Sequence, residues 1–198
     1  MTVPATVCGV VLTGGSSRRM GRDKAFVEID GRAMAARVAD ALRAGGCDVV
    51  TCQGGDRDRL AACGLDTVPD LAPGAGPAAA IVQAVDQVAW TSTDTVVIAA
   101  CDLGYLTGDA VAAVIGAGRS GVAVASDGGR RHLLLAVRRD AAASVVAAGA
   151  PTGASAGRSH TSVRNLLDRV RAVPVDVGAA AVHNVNRPGD LVRSLRPE

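Results

Sequence analysis

The stretch VVLTGGSSRRMGRDKA, Val10 to Ala25, begins as an apolar run and turns within a few residues into glycines, hydroxyls and cations. The apolar part extends back to Val7, and Val7–Thr13 reads as a short strand buried on both faces. Gly14 and Gly15 follow it directly. Without Cβ atoms, their backbone N–H groups can approach an anion closely. Arg18, Arg19 and Lys24 then bring three cations within eleven residues of Gly14, with Gly21 as a bend between them. Arginine grips phosphate oxygens in a fork, while lysine acts as a movable point charge. A nucleoside triphosphate fits this set of groups. The pattern is not a Walker loop, because Lys24 is followed by Ala25 and not by Ser or Thr, and it lacks the G-x-G-x-x-G of a dinucleotide site.

Working outward, strand and helix signals alternate. Met34, Val38, Ala41 and Leu42 recur at helical spacing within Gly31–Ala44, and Gly45-Gly46 stops that helix. Cys47–Cys52 reads as a strand, Asp56–Cys63 as a polar helix, Leu65–Pro69 as a short strand and Gly76–Trp90 as a helix. Thr95–Cys101 is the most continuous β-branched run and is expected at the centre of the sheet. A helix is expected over Asp109–Ile115. Gly121–Ser126 and His132–Arg138 are expected as strands joined at DGGRR. Asp140–Ala148 reads as a short helix. Thr161 is expected to cap a helix through Leu166, Leu167 and Val170, followed by a strand over Val173–Val177 and a helix over Pro188–Leu195. Gly149–His160 is a loop rich in Gly, Ala and Ser. This alternation predicts an α/β fold with a mostly parallel, doubly wound sheet, whose ligands bind outside the carboxyl ends of the strands.

Three further segments carry chemistry. Asp102 stands just past the expected central strand, facing the same crevice mouth as the first loop. Beside a triphosphate a carboxylate is repulsive unless a divalent cation lies between them, so Asp102 is a candidate Mg²⁺ ligand. It, or Thr107, could instead cap the next helix. Asp70 precedes Gly74, Gly76 and Pro77 and could accept hydrogen bonds from base N–H groups, or belong to an ordinary turn. Asn184 and Asn186 flank Val185; if extended, both amides face one way, toward a second substrate, or they satisfy a turn before Pro188. His132, beside GGRR, reads as a polar turn residue. Trp90, Tyr105 and Phe26 read as packing residues, and Cys101 as a core filler.

Composition bounds the rest. A hydrophobic content of 48% with only 2% aromatic residues requires a core of Val, Ala, Leu and Ile, which suits close helix–sheet packing. A net charge of +2 argues against bulk binding of nucleic acid or membrane, so any phosphate site depends on local placement of cations. The five cysteines include no C-x-x-C pair, which argues against a disulfide framework or zinc site. With no long apolar stretch, the expectation is a soluble, cytoplasmic protein of one domain over residues 1–198.

These segments resemble the molybdenum cofactor guanylyltransferases, the MobA family. The shared signature L-[AT]-G-G-x-S-x-R-M-G-x-D-K is present as Leu12–Lys24, with the proline-glycine segment at Pro73–Ile81, C-D-x-x-Y-[LI] at Cys101–Leu106 and N-V-N-x-P at Asn184–Pro188. The resemblance implies a three-layer, Rossmann-like nucleotidyltransferase fold. It implies transfer of GMP from GTP to the terminal phosphate of molybdenum-loaded molybdopterin, with release of pyrophosphate and with Mg²⁺ as cofactor. By it, Leu12, Thr13, Gly14 and Gly15 would line the GTP site, and Arg19 and Lys24 would hold the triphosphate. Asp70 would contact the nucleoside, Asp102 would hold Mg²⁺, and Asn184 and Asn186 would lie toward the molybdopterin. Arg19, Lys24 and Asp102 are thereby the candidate catalytic groups. Molybdoenzyme apoproteins or their chaperones would be partners. The related cytidylyltransferases have A-A-G where this chain has Thr13-Gly14-Gly15, which speaks for GTP. The chain departs from the family pattern at Thr13, Ala80, Ala100 and Leu133, and Cys52-Gln53 stand where an asparagine is common. Two alternatives stay open: a cytidylyltransferase acting on molybdopterin or a small phosphorylated alcohol, and a non-catalytic carrier delivering molybdopterin.

Overall fold

A computed structural model describes residues 6–14, 23–150, 161–186 and 190. In chain order the strands are β1 (Val7–Leu12), β2 (Glu28–Ile29), β3 (Arg32–Ala33), β4 (Val49–Gln53), β5 (Asp66–Val68), β6 (Thr95–Ala100), β7 (Val122–Asp127), β8 (Arg130–Arg138) and β9 (Val173–Asp176). The helices are α1 (Met34–Ala44), α2 (Arg57–Ala62), α3 (Pro77–Asp86), α4 (Gly108–Ala117), α5 (Ala142–Gly149) and α6 (Val163–Arg169). Seven strands form one sheet in the order β5-β4-β1-β6-β8-β7-β9, and β2 and β3 pair as a separate small ribbon. β6 is the middle strand, as its β-branched run predicts. Only β8 runs against the others, pairing antiparallel with β6 and β7. The β7–β8 turn is Gly128-Gly129, with φ of +51° and +82°. That left-handed pair is what a tight hairpin needs and what side chains resist.

The period-two alternation of the strands divides the core into two layers. Val11, Val97, Ala99, Leu134 and Ala136 face α1 and α4, meeting Val38, Leu42, Val111 and Val114. Val10, Leu12, Val96, Ile98, Leu135 and Val137 face the other side, meeting Ile81 and Val85 of α3, Val145 of α5 and Leu166 and Leu167 of α6. Ile98 is fully buried at the centre of the sheet. Truncating such a residue to Ala typically removes about 2–5 kcal/mol. Helices lie on both faces, giving the expected three layers.

Several boundaries differ from expectation. α1 begins at Met34 and not near Gly31, because Asp30 and Gly31, both at positive φ, form the turn of the β2–β3 ribbon. α3 ends at Asp86; the Trp90 indole then donates to the Val85 carbonyl at 3.0 Å, folding the following residues back. α6 is capped by Ser162, not Thr161, through a 3.2 Å bond from the Asn165 N–H. The expected helix over Pro188–Leu195 lies outside the described residues except for Asp190, and the Gly149–His160 loop lies largely outside them.

The strand register positions the site. Leu12 lies beside Gln53 on one flank and Ala100 on the other, and Gln53 lies beside Val68. The segments starting at Thr13, Gly54, Pro69 and Cys101 therefore leave the sheet at one level. Because β8 runs the other way, its beginning, around Arg130–Leu133, lies at that same edge.

Candidate functional site

Backbone defines one half of this edge. The N–H groups of Thr13 and Gly14 both donate to the Gln53 carbonyl at 3.0 Å. The buried Thr13 hydroxyl lies 2.7 Å from the Gly54 carbonyl and 3.1 Å from that of Gln53. The loops after β1 and β4 are thus stapled together. This corrects one expectation: the Gly14 N–H is engaged within the protein and is not held out toward an anion. What Gly14 supplies is its missing side chain, since a Cβ there would sit 2.9 Å from Asp70 Oδ2. Gly54, at φ +74°, is hemmed in by backbone as well: a Cβ would meet the Gly14 Cα at 3.0 Å and the Asp70 Cβ at 3.1 Å. Asp70 is fixed by the Ala72 N–H, which donates to Oδ1 at 3.0 Å. Gly14, Gly54, Gly55, Arg57, Asp70 and Gly74 border a cleft of about 680 Å³.

The other half is built of charges. The Asp23 side chain accepts from the Ala25 N–H and caps a single 3-10 turn, Lys24–Phe26, which presents Lys24. Lys24 Nζ lies 3.7 Å from Asp102 Oδ2 and donates to Asn186 Oδ1 at 2.5 Å. The Val185 N–H donates to the Asp102 carbonyl at 2.8 Å, while the fully buried Val185 side chain packs on Ile29 and Met34. That anchor brings the Asn184–Asn186 segment against Asp102. The Asn186 N–H is held in turn by Asp190 Oδ2 at 2.8 Å.

Electrostatics single out Asp102. Burial pushes its carboxyl above the ordinary carboxylate range, and the charges of Lys24 and His132 draw it part of the way back. Asp102 Oδ1, Asn184 Oδ1 and His132 Nε2 are all buried without a hydrogen-bond partner among the described residues. Folded proteins rarely leave such atoms unpaired, so each keeps a hydrogen-bonding capacity that a ligand or water would use. An unpartnered carboxylate oxygen fits one coordination position of a hard divalent cation. Among the described residues no group of three or more His, Cys, Asp or Glu could hold an ion alone. A metal here would complete its shell with ligand oxygens and water. Burial pushes the neighbouring Cys101 thiol up to about 12, in keeping with a core filler.

The structure therefore brings Lys24, Asp102 and Asn186 into contact, with Asn184 beside them, and gathers Thr13, Gly14 and Asp70 at the adjoining cleft. The Leu12 side chain is buried in the core, and its carbonyl accepts from the Cys101 N–H at 3.2 Å. Gly15 and Arg19, with Arg18 and Gly21, lie outside the described residues. Sequence reasoning missed Gly54, Gly55, Arg57 and the proximity of His132 to Asp102. Gly54-Gly55 follow β4 as Gly14-Gly15 follow β1, and the same strand-end argument finds them. No helix among the described residues is long and apolar enough to cross a membrane.

Residues 9–182 match the family described as MobA-like NTP transferase domain. A molybdenum cofactor guanylyltransferase of Rhodobacter capsulatus is 33% identical over 190 residues, covering 95% of this chain and 94% of that one. One from Cereibacter sphaeroides is 31% identical over 192 residues, covering 94% of each. Among solved structures, molybdopterin-guanine dinucleotide biosynthesis protein A of Archaeoglobus fulgidus superposes with a TM-score of 0.66 at 18% identity, covering 93% of this chain and 94% of that one. The Mycobacterium tuberculosis protein Rv0371c, in a complex with manganese, gives 0.67 at 16% identity over 96% of this chain and 100% of that one. These structural likenesses establish the fold.

Proposed function

The chain belongs to the MobA-like NTP transferase family and is a nucleotidyltransferase, and from that premise we propose that it transfers GMP from GTP to the terminal phosphate of molybdenum-loaded molybdopterin. The observation that carries this reading is the meeting of Lys24 and Asp102, 3.7 Å apart at the carboxyl edge of the sheet, beside a glycine-lined cleft.

Each part of the site has a task in that reaction. The cleft takes the nucleoside, where the close packing of Gly14 on Asp70 leaves no space for side chains. Asp70 accepts from the base; guanine, with adjacent N1–H and N2–H₂ donors, offers a carboxylate more than cytosine's single amino group does. Asp102 would hold Mg²⁺ through its unpartnered Oδ1, and the bound ion would neutralise charge on the phosphates. Lys24 and Arg19 draw the β- and γ-phosphates, so Lys24 leaves its bond to Asn186 when the nucleotide arrives. Asn184 and Asn186 orient the acceptor. The acceptor phosphate is already an anion and needs no general base. One of its oxygens bonds to the α-phosphorus while the bond to the bridging β-oxygen breaks, and that electron pair departs with pyrophosphate. Catalysis then consists of positioning and charge neutralisation.

Pyrophosphate release with molybdenum-loaded molybdopterin as acceptor tests the reading. GTP-dependent release is expected, abolished in Asp102→Asn. Release with CTP and not GTP would move the assignment to a cytidylyltransferase. Tight binding of molybdopterin without release would make the protein a carrier.

A further inference from the structure

The loop after β5 carries Asp70 and has no apolar anchor of its own. From Pro69 to Pro77 no side chain is buried, and Leu71 is 67% exposed. The loop is tied instead to Gln83, which lies within α3 and is only 9% exposed. Gln83 Nε2 donates to the Pro69 carbonyl at 2.7 Å, and Oε1 accepts from the Leu71 N–H at 2.8 Å. Nε2 also donates to Gln87 Oε1, one turn further along, at 3.1 Å. One primary amide therefore holds the backbone on both sides of Asp70, as a neighbouring strand would. Burying an amide is costly unless its polar atoms are bonded, and here both the oxygen and the nitrogen are. The same frame reaches the opposite wall of the cleft. Gln53 Nε2 ties β4 to α3 by donating to the Ala80 carbonyl at 3.1 Å, while the Gln53 carbonyl receives the N–H groups of Thr13 and Gly14. Asp70 Oδ2 lies over Gly14, where an added Cβ would approach it to 2.9 Å.

We propose that Gln83 is the positioning residue for base recognition: by clamping Pro69 and Leu71 it holds the Asp70 carboxylate where it accepts from both N1–H and N2–H₂ of a guanine. The inference rests on the assignment of Asp70 to the base in the transfer reading, while the clamp follows from the hydrogen bonds alone. Gln83 does not border the cleft, so it acts through Asp70 and not on the nucleotide. A two-point contact of this kind tolerates displacements of only about 0.5 Å. A loop whose own side chains are all outside the core does not hold such a position unaided.

The experiment measures binding of GTP and of inosine triphosphate, which lacks the 2-amino group, to wild-type protein, Gln83→Met and Gln83→Glu. Wild type is expected to prefer GTP by about 10-fold or more, the value of one hydrogen bond to a charged acceptor. Gln83→Met fills the space without either backbone bond, and its preference should fall to within about threefold. Gln83→Glu keeps an acceptor for the Leu71 N–H and should recover part of the preference; it carries the same comparison if the methionine variant does not fold. In turnover the defect appears in the KM for GTP, with kcat at saturation little changed. A loss that is equal for the two nucleotides makes Gln83 a structural residue and overturns the proposal, as does a wild-type preference in Gln83→Met; both leave the transfer reading standing. Wild-type protein that binds the two nucleotides equally removes Asp70 from the base and overturns the proposal with it. A Gln83-dependent preference in a protein that never releases pyrophosphate supports the clamp and overturns only the transfer reading.

Discussion

The two halves of the sheet edge are built on opposite principles. At the Gly14–Gly54–Asp70 cleft the N–H groups of Thr13, Gly14 and Gly54 are paired within the protein, and shape is set by where a side chain cannot fit. Around Asp102 the groups are crowded and charged, and three buried polar atoms lack partners. The first half is closed mainly by folding, with Gln53 Oε1 and Thr67 Oγ1 as its unpartnered buried atoms among the described residues. The second keeps unpaired atoms among the described residues, Asp102 Oδ1 one of them, for the ligands proposed above. Substitutions should therefore act mainly on turnover in the second half and mainly on stability and nucleotide affinity in the first.

The largest effect is expected from Asp102→Asn. Removing the carboxylate proposed to hold the metal should lower kcat by at least about 10³-fold, while the melting temperature stays the same or rises. The sign follows from the raised carboxyl. Burial makes the ionised form the costly one, so the penalty is present above the folded-state pKa and is relieved as pH falls through it. The stability gap between variant and wild type should therefore narrow on acidification from neutral pH. The wild-type rate should show an acid limb above the usual carboxylate range. An Asp102→Asn variant that turns over normally, or that melts well below wild type, would erase the contrast between the halves.

Lys24→Ala comes next. It removes one preorganised cation and should slow turnover by about 10²–10³-fold. Its loss should weaken binding of GTP more than binding of GMP, because the triphosphate is what the ammonium is proposed to hold. Equal loss for both nucleotides would place Lys24 elsewhere in the reaction.

The charged half was legible in the sequence because it depends on residue type at strand ends. Lys24 and Asp102 stand out in an otherwise apolar context, and the strand before each one fixes which edge it reaches. The contact of Asn186 with Lys24 was not legible, since it depends on Val185 docking against Ile29 and Met34 across the chain. His132 was hidden for a related reason. Only the antiparallel course of β8 returns the start of that strand to the carboxyl edge, and a hairpin signal does not say which edge it serves. In the glycine half the sequence predicted a backbone-lined site, but not that the Gly14 N–H would already be engaged by Gln53. That pairing follows from the β1–β4 register, which composition does not encode.

Within the glycine half, Gly54→Ala and Gly14→Ala sharpen the comparison against each other. At Gly54 the obstacle includes backbone, and the residue sits at φ +74°. Alanine there should destabilise by about 1–3 kcal/mol, readable by denaturant titration. At Gly14 the obstacle is the end of the Asp70 side chain, which can swing away. That variant should keep most of its stability and instead raise the KM for GTP, by about tenfold if Asp70 reads the base. A Gly14→Ala variant with unchanged KM would remove Asp70 from the nucleotide site.

The smallest effect is expected at Thr13, where the chain has a hydroxyl. The Thr13 hydroxyl lies within hydrogen-bond distance of two carbonyls of the loop after β4, at 2.7 and 3.1 Å, and is almost wholly buried. Thr13→Ala removes the donor but keeps both N–H bonds to Gln53, so the Gly54 carbonyl is the group left short. A loss of about 1 kcal/mol follows, the usual net value of one hydrogen bond. Because the staple sets shape and carries no charge, kcat should hold within about twofold. A large fall in kcat with normal stability would show the hydroxyl touching substrate, and would move Thr13 from the finished half of the edge to the unfinished one.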